Sequence, residues 1–429
     1  MQRHYRRTMN ISMLVSTVVA AGISAANCNR ARGMDYYVNP SGVAGAFQSL
    51  PDAINAAKLG PVGTAENPTR IILAPGIYNT QQILIGSNMP YLQLIGASAN
   101  PEDTVVEYDL NAKSTIGGRN IGTSGSASVQ IRANDFTATN ITFANSTPYG
   151  TAQAVALLAQ GDQEAFSNDR FIGFQDTLYL KNGRSYFQNC YVTGTVDYIF
   201  GNGTAVFQNS TINSSAPGTV TAANTNTTTA VGFVFRDSTI TSNVVPTSQG
   251  GDPNDQTGVP AGSAFLGRPW DYASSNSSVT FLNTRMGSVI NPAGWTPWDA
   301  NEIPSKGNPR YSEYNSQTSR GAELSVSQRV PWSSQLVQSG SSDALLNAEN
   351  YTLSNIFGPE TFWGTQYTDR FAVSGTWNPL AQLATANVPE PAELPLYVAA
   401  CASLLAMGFR RSIRRNFRTA GLLASCGPE

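Results

Sequence analysis

Histidine is nearly missing from this chain of 429 residues: the one histidine is His4. It falls in a segment read below as a leader, so the exported chain would have none. That excludes the Ser-His-Asp arrangement and histidine-based zinc sites. Acid–base chemistry is left to carboxyl groups, Tyr, Lys or Cys. Cysteine is scarce too, at positions 28, 190, 401 and 426, without metal-type spacing. Cys28 and Cys190 could form one disulfide, a pairing the sequence leaves open. Charged residues make up only 13%. Without residues 1–26 and 392–429, about 18 basic face about 26 acidic residues, a balance near −8 with no basic run. Nucleic-acid binding is excluded on that ground.

What is abundant is Gly, Asn, Ser and Thr, a composition that suits an extracellular β-rich protein. The first 26 residues read as a signal peptide. MQRHYRR is a basic head, ISMLVSTVVAAGI an apolar run, and Ser24-Ala25-Ala26 a small-x-small cleavage pattern. Near the other end, Val388-Pro389-Glu390-Pro391 precedes the 16-residue apolar run LPLYVAACASLLAMGF and then RRSIRR. The run is slightly short for a spanning helix, and the arginines would stay cytoplasmic. This tail resembles the PEP-CTERM sorting signal of Gram-negative-type bacteria, which implies transient membrane anchoring and exosortase-like processing; a plain membrane anchor is the alternative. Either way the body of the chain is expected outside the cytoplasm, at the cell surface or secreted. The expected layout is a signal peptide (1–26), one domain (27–376), a linker (377–391) and a sorting segment (392–429).

A Phe-x-Asn/Asp-small pattern recurs at Phe166, Phe187, Phe207, Phe235 and Phe281. The first spacings are 21 and 20, the later ones 28 and 46, as if loops were inserted. Each copy adjoins a short alternating strand, such as YFQNCYVTG or VTFLNTRMG. Strands of this length at a period just over 20 suit a right-handed parallel β-helix, in which each coil buries its inward residues by stacking on the next. PDAINAAK, Pro51 to Lys58, reads as a short helix capping the open end, with Pro51 in its first turn and Gly60 as its stop. An antiparallel sandwich remains the alternative, because Asn182-Gly183 and Asn202-Gly203 are tight-hairpin pairs.

The same period raises a chemical question. Asp176, in QDTLY, and Asp197, in VDYIFG, lie 21 apart inside apolar strands. A buried ionised carboxylate is costly unless paired or used. In a coil of about 21 residues they would stack on adjacent strands, ~4.8 Å apart. Gln153, Gln175 and Asp197 are spaced 22 and 22, so two amides join the ladder. Like charges that close cannot both ionise cheaply; one pKa rises and the other stays low, giving an acid beside a nucleophile or base. Spacing alone leaves a structural polar ladder equally open.

Four motifs then carry a resemblance: Gln153-Ala-Val-Ala-Leu157, Gly173-Phe-Gln-Asp-Thr-Leu-Tyr179, Gly194-Thr-Val-Asp-Tyr-Ile-Phe-Gly201 and Leu266-Gly-Arg-Pro-Trp270. In this order they resemble the pectin methylesterases (pectinesterases), carbohydrate esterases, over about Tyr36 to Thr376. Two departures stand out: Tyr198 where the family often has Phe, and Asn79-Thr80 where an acidic residue is common.

The resemblance implies hydrolysis of methyl esters of polygalacturonate, in methyl-esterified homogalacturonan, giving carboxylates and methanol; the chain is expected to be a monomer. Asp197 would be the nucleophile and Asp176 the general acid and then base. Gln175 and Gln153 would donate to the oxyanion, Arg268 would orient Asp197, and Trp270 would offer a flat face to a sugar. Phe174, Tyr179 and Tyr198 would line the substrate groove or fill it. No metal or organic cofactor is expected. The Asp252 and Asp255 segment lacks the spacing and closing Glu of an EF-hand and reads as a solvated loop. Two other functions stay in view: a polygalacturonase- or pectate-lyase-type enzyme, and a non-catalytic polysaccharide-binding surface protein.

Overall fold

The computed structural model describes residues 33–242, 259–270, 276–299, 309–368, 371 and 375–386. The leader, Cys28, the Asp252–Asp255 loop and the C-terminal sorting segment lie outside the described residues. Among the described residues, one sheet has eleven strands and a second has fourteen; a third sheet has two. In the two large sheets successive strands pair in parallel. Glu164–Ser167 lies on Arg184–Gln188, then Thr204–Gln208, Phe233–Arg236 and Ser278–Leu282. The fourteen-stranded sheet bends around two faces of the coil. Tyr191–Gly201 pairs with Arg170–Ile172 along its first part and with Leu178–Leu180 along its last. The chain is a right-handed parallel β-helix.

The Phe-x-Asn-small repeat is the corner that closes each coil. Its Phe points inward, and Phe166, Phe187, Phe207, Phe235 and Phe281 stack at 4.8, 4.5, 4.7 and 4.6 Å, with planes 4–9° apart. The third residue turns the chain at positive φ: Asn168, Asn189, Asn209, Asp237 and Asn283 lie between 50° and 55°. Asn and Asp tolerate this region best among residues with a Cβ. Their side chains bond along the stack, Asn209 Nδ2 donating to Asn189 Oδ1 at 2.6 Å. The fourth residue, Cys190, Ser210, Ser238 or Thr284, is buried beneath the corner. Cys190 is there a free buried thiol.

The sandwich alternative fails at its own turns. The strands flanking Asn182-Gly183, Leu178–Leu180 and Arg184–Gln188, join different sheets and do not pair with each other. Both turn residues have positive φ, 67° and 62°, and make a corner rather than a hairpin.

The helix runs Leu50–Leu59, with the Ser49 hydroxyl accepting from the Asp52 N–H. Leu50, Ala53, Ile54 and Ala57 pack into the central core, so this helix covers the open first coil.

The domain boundary at 376 needs correction. Trp377 is buried against Phe357, and the helix Pro379–Leu383 docks on the coils. Its Gln382 Nε2 donates to the carbonyls of Phe136 and Gln163. Apolar burial of Trp377 and these bonds make 377–386 part of the fold, not a linker.

Candidate active site

The site lies on the outer face of the bent sheet, where Tyr191–Gly201 turns from one face to the next. Register shifts flank Val196, before Ile199, in its pairing with Thr211–Ala223. Asp197 sits in that irregularity at φ 53°, and Asp176 on the preceding coil has φ 65°. Bulges of this kind re-aim side chains. Gly194 permits the close approach: a Cβ there would come within 2.2 Å of Tyr198 Cβ and 2.6 Å of the Phe174 carbonyl. Gly267 does the same before Arg268, where a Cβ would meet Thr221 Oγ1 at 2.0 Å.

Seven expected residues come together. Gln153, Gln175, Asp176, Tyr179, Asp197, Arg268 and Trp270 line one cleft of about 500 Å³. Leu178 pairs with Ile199, so Asp176, in the turn two residues before the one, and Asp197, two residues before the other, belong to adjacent coils. The Asp176 N–H donates to the Val196 carbonyl at 3.1 Å. Arg268 forks onto Asp197, Nε to Oδ1 at 2.9 Å and Nη2 to Oδ2 at 2.6 Å. Such bidentate pairs fix both charge and orientation.

Asp176 is 8% exposed. Burial, then the neighbouring Asp197 charge, push its carboxyl from the ordinary 3.8 up to about 8, against the opposing pull of Arg268. At neutral pH it therefore carries a proton. Among the described residues no side-chain hydrogen bond engages the Asp176 carboxyl or the amides of Gln153 and Gln175, so all three are available to a ligand.

The aromatic wall continues across coils. Tyr179 stacks on Phe200 at 4.2 Å, and Phe200 meets Trp270 at 6.0 Å. Phe200, Trp298, Thr219 and the segment 121–124 escaped the sequence reading. Trp298 lies over the Arg268 guanidinium at 4.1 Å. Residues 121–124 follow the antiparallel hairpin of Thr115–Ile116 and Arg119–Asn120, turned by Gly117-Gly118, and wall the cleft.

Two expected groove residues are placed otherwise. Tyr198 is fully buried in the central core, its hydroxyl 3.1 Å from Ser214 Oγ, and contributes nothing to the cleft. The irregularity at Asp197 turns both Tyr198 and Ile199 inward. Phe174 is not in the cleft lining; it is half-buried and meets Tyr149 edge-on at 5.3 Å.

The fold and its cleft place the chain among the β-helical hydrolases. The chain belongs to the pectinesterase family, whose description "Pectinesterase" matches residues 37–358. It is similar to Pectinesterase 31 of Arabidopsis thaliana, 36% identical over 300 residues, 68% of this chain and 85% of that one. Among solved structures it resembles the pectin methylesterase from carrot (TM-score 0.58, 28% identity, 71% of this chain and 89% of that one). It also resembles a pectin methylesterase in complex with a hexasaccharide (TM-score 0.58, 28% identity, 76% and 98%).

Proposed function

We propose that this enzyme hydrolyses the methyl esters of pectin, that is, methyl-esterified homogalacturonan, to free carboxylates and methanol. The observation that carries the reading is the cleft shared by Asp176, held protonated near neutral pH, and Asp197, held by Arg268. The hexasaccharide bound by a related pectin methylesterase supports a polymeric sugar substrate.

Asp197 attacks the ester carbonyl carbon. The tetrahedral oxyanion meets the unengaged amides of Gln153 and Gln175, donors already in place before charge develops. The C–OCH3 bond breaks as Asp176 gives its proton to the departing methoxide, leaving an acyl-Asp197 anhydride and methanol. Asp176, now ionised, takes a proton from water. The resulting hydroxide attacks the galacturonyl carbonyl and releases Asp197. The product acid loses its proton to solvent, so one proton appears per ester cleaved. Trp270, Tyr179 and Phe200 offer flat faces to the sugar rings.

Methanol release from highly methylated pectin tests this reading. The enzyme is expected to release methanol well above background, and Asp197→Ala only at the background rate. Equal release by both would overturn the nucleophile assignment; a viscosity drop or unsaturated product would point to depolymerisation.

Further parts of the reading rest on the sequence pattern. Residues 1–26 act as a signal peptide, and the tail from Val388 is a PEP-CTERM-type sorting segment processed at a Gram-negative-type envelope. The domain between them works outside the cytoplasm as a monomer. A mature N-terminus at Asn27, read by mass spectrometry of the exported protein, is expected.

A further inference from the structure

The hydrogen bonds around Asp197 single out one of its two oxygens. A carboxylate has about four lone-pair sites, two on each oxygen. Oδ1 receives two donors, Thr219 Oγ1 at 2.6 Å and Arg268 Nε at 2.9 Å. Among the described residues Oδ2 receives one, Arg268 Nη2 at 2.6 Å. Oδ1 is therefore filled, and only Oδ2 keeps a lone pair for a carbonyl carbon.

Thr219 makes that difference. It is 5% exposed and stands on the next coil, paired with Val196. Its hydroxyl also accepts the Asp197 N–H at 3.0 Å. With one proton to give, it must point that proton at Oδ1 while its oxygen holds the backbone. The two bonds close a ring through the Asp197 side chain, which fixes its rotamer at a positive-φ position.

We infer that Thr219 is a positioning residue for the nucleophile: it locks Asp197 and leaves Oδ2 as the attacking oxygen. This deepens the esterase reading above and rests on it. The new bond forms between Oδ2 and the ester carbon. The bond that then breaks is C–OCH3, its oxygen taking the Asp176 proton.

Thr219→Val keeps the shape and removes the hydroxyl; Thr219→Ser keeps the hydroxyl. For Thr219→Val, kcat for methanol release is expected to fall about 10- to 100-fold with KM within about twofold. Thr219→Ser is expected to stay within about threefold of the parent. A purely structural role would not give this split or the serine rescue. If Thr219→Val does not fold, Thr219→Ala asks the same question. A parental kcat in the hydroxyl-free variant, or a loss confined to KM, would overturn the inference. Asp197→Ala run in parallel separates the two levels. If it is inactive while Thr219→Val is unaffected, only the role of Thr219 is lost; if it stays fully active, the nucleophile assignment itself fails. A crystal structure of Asp176→Asn with a bound methyl-esterified oligogalacturonate should place the ester carbon over Oδ2; a carbon over Oδ1 would overturn the atom assignment.

Discussion

In the proposed mechanism Asp176 serves as the acid because of where it is held. Burial and the facing Asp197 charge raise it to about 8, so at neutral pH the proton needed by the departing methoxide is already in place. The sign follows directly. The productive form is protonated, so kcat should fall as pH rises through about 8, after subtraction of base-catalysed ester loss. Asp176→Asn should lose at least about 100-fold in rate, and its residual rate should lack that alkaline limb. An unchanged limb would remove Asp176 from its role. Stability moves the same way. A carboxyl raised on folding contributes fully below its unfolded pKa, near 4, and that contribution is lost as pH rises through the folded value. Asp176→Asn should therefore unfold at a higher temperature than the parent at pH 8. The motif residues of the site were legible in the sequence, because QDTLY, VDYIFG and LGRPW each carry a chemical group at a fixed spacing. Thr219 and Trp298 were not, since a threonine and a tryptophan outside those motifs carry no signature until folding brings them to Asp197 and Arg268. Of the two places left open for Tyr198, the groove wall or the filling, it takes the second, in the core beside the register slip at Asp197.

The corner repeat sets the scale of the next level. One Phe and one Asn per coil serve two needs, an inward ring to stack and a residue that accepts positive φ. Phe207 stacks at 4.5 Å on Phe187 and 4.7 Å on Phe235, fully buried. Phe207→Ala should cost about 3–5 kcal/mol in denaturant unfolding, through lost burial and the cavity left behind. A cost below ~1 kcal/mol would mean the stack adds little. This repeat made the fold legible, because both residues are demanded by geometry at nearly every coil. The Asn-Gly pairs misled toward hairpins because a positive-φ corner and a hairpin turn ask for the same residues. Only the partner strands tell them apart.

Across the whole molecule, the C-terminal segment returns to cover the sheet face away from the cleft. Tyr351, Phe357, Trp363 and Trp377 pack on Tyr186, Val206 and Val234. Arg184, fully buried, pairs with Asp162 and donates to the carbonyls of Phe357 and Gly375 at 3.0 and 2.8 Å. A chain ended at 376 should therefore unfold at a lower temperature than one ended at 386, and Arg184→Ala should lose about 3–5 kcal/mol by stranding Asp162. Equal unfolding of the two truncated chains would contradict this account of residues 377–386. Their sequence, WNPLAQLATA, hid the role: a Pro-bearing stretch before the Pro-Glu-Pro motif reads as a linker until Trp377 and Gln382 are seen in their contacts.

The most direct test is the protonation of Asp176 in the resting enzyme. Difference infrared spectra of the parent against Asp176→Asn, recorded across pH, isolate its C=O stretch. A protonated-carboxyl band present at pH 7 and lost with a midpoint near 8 is the predicted result. A band already gone by pH 5, as for an ordinary aspartate near 3.8, would contradict the account.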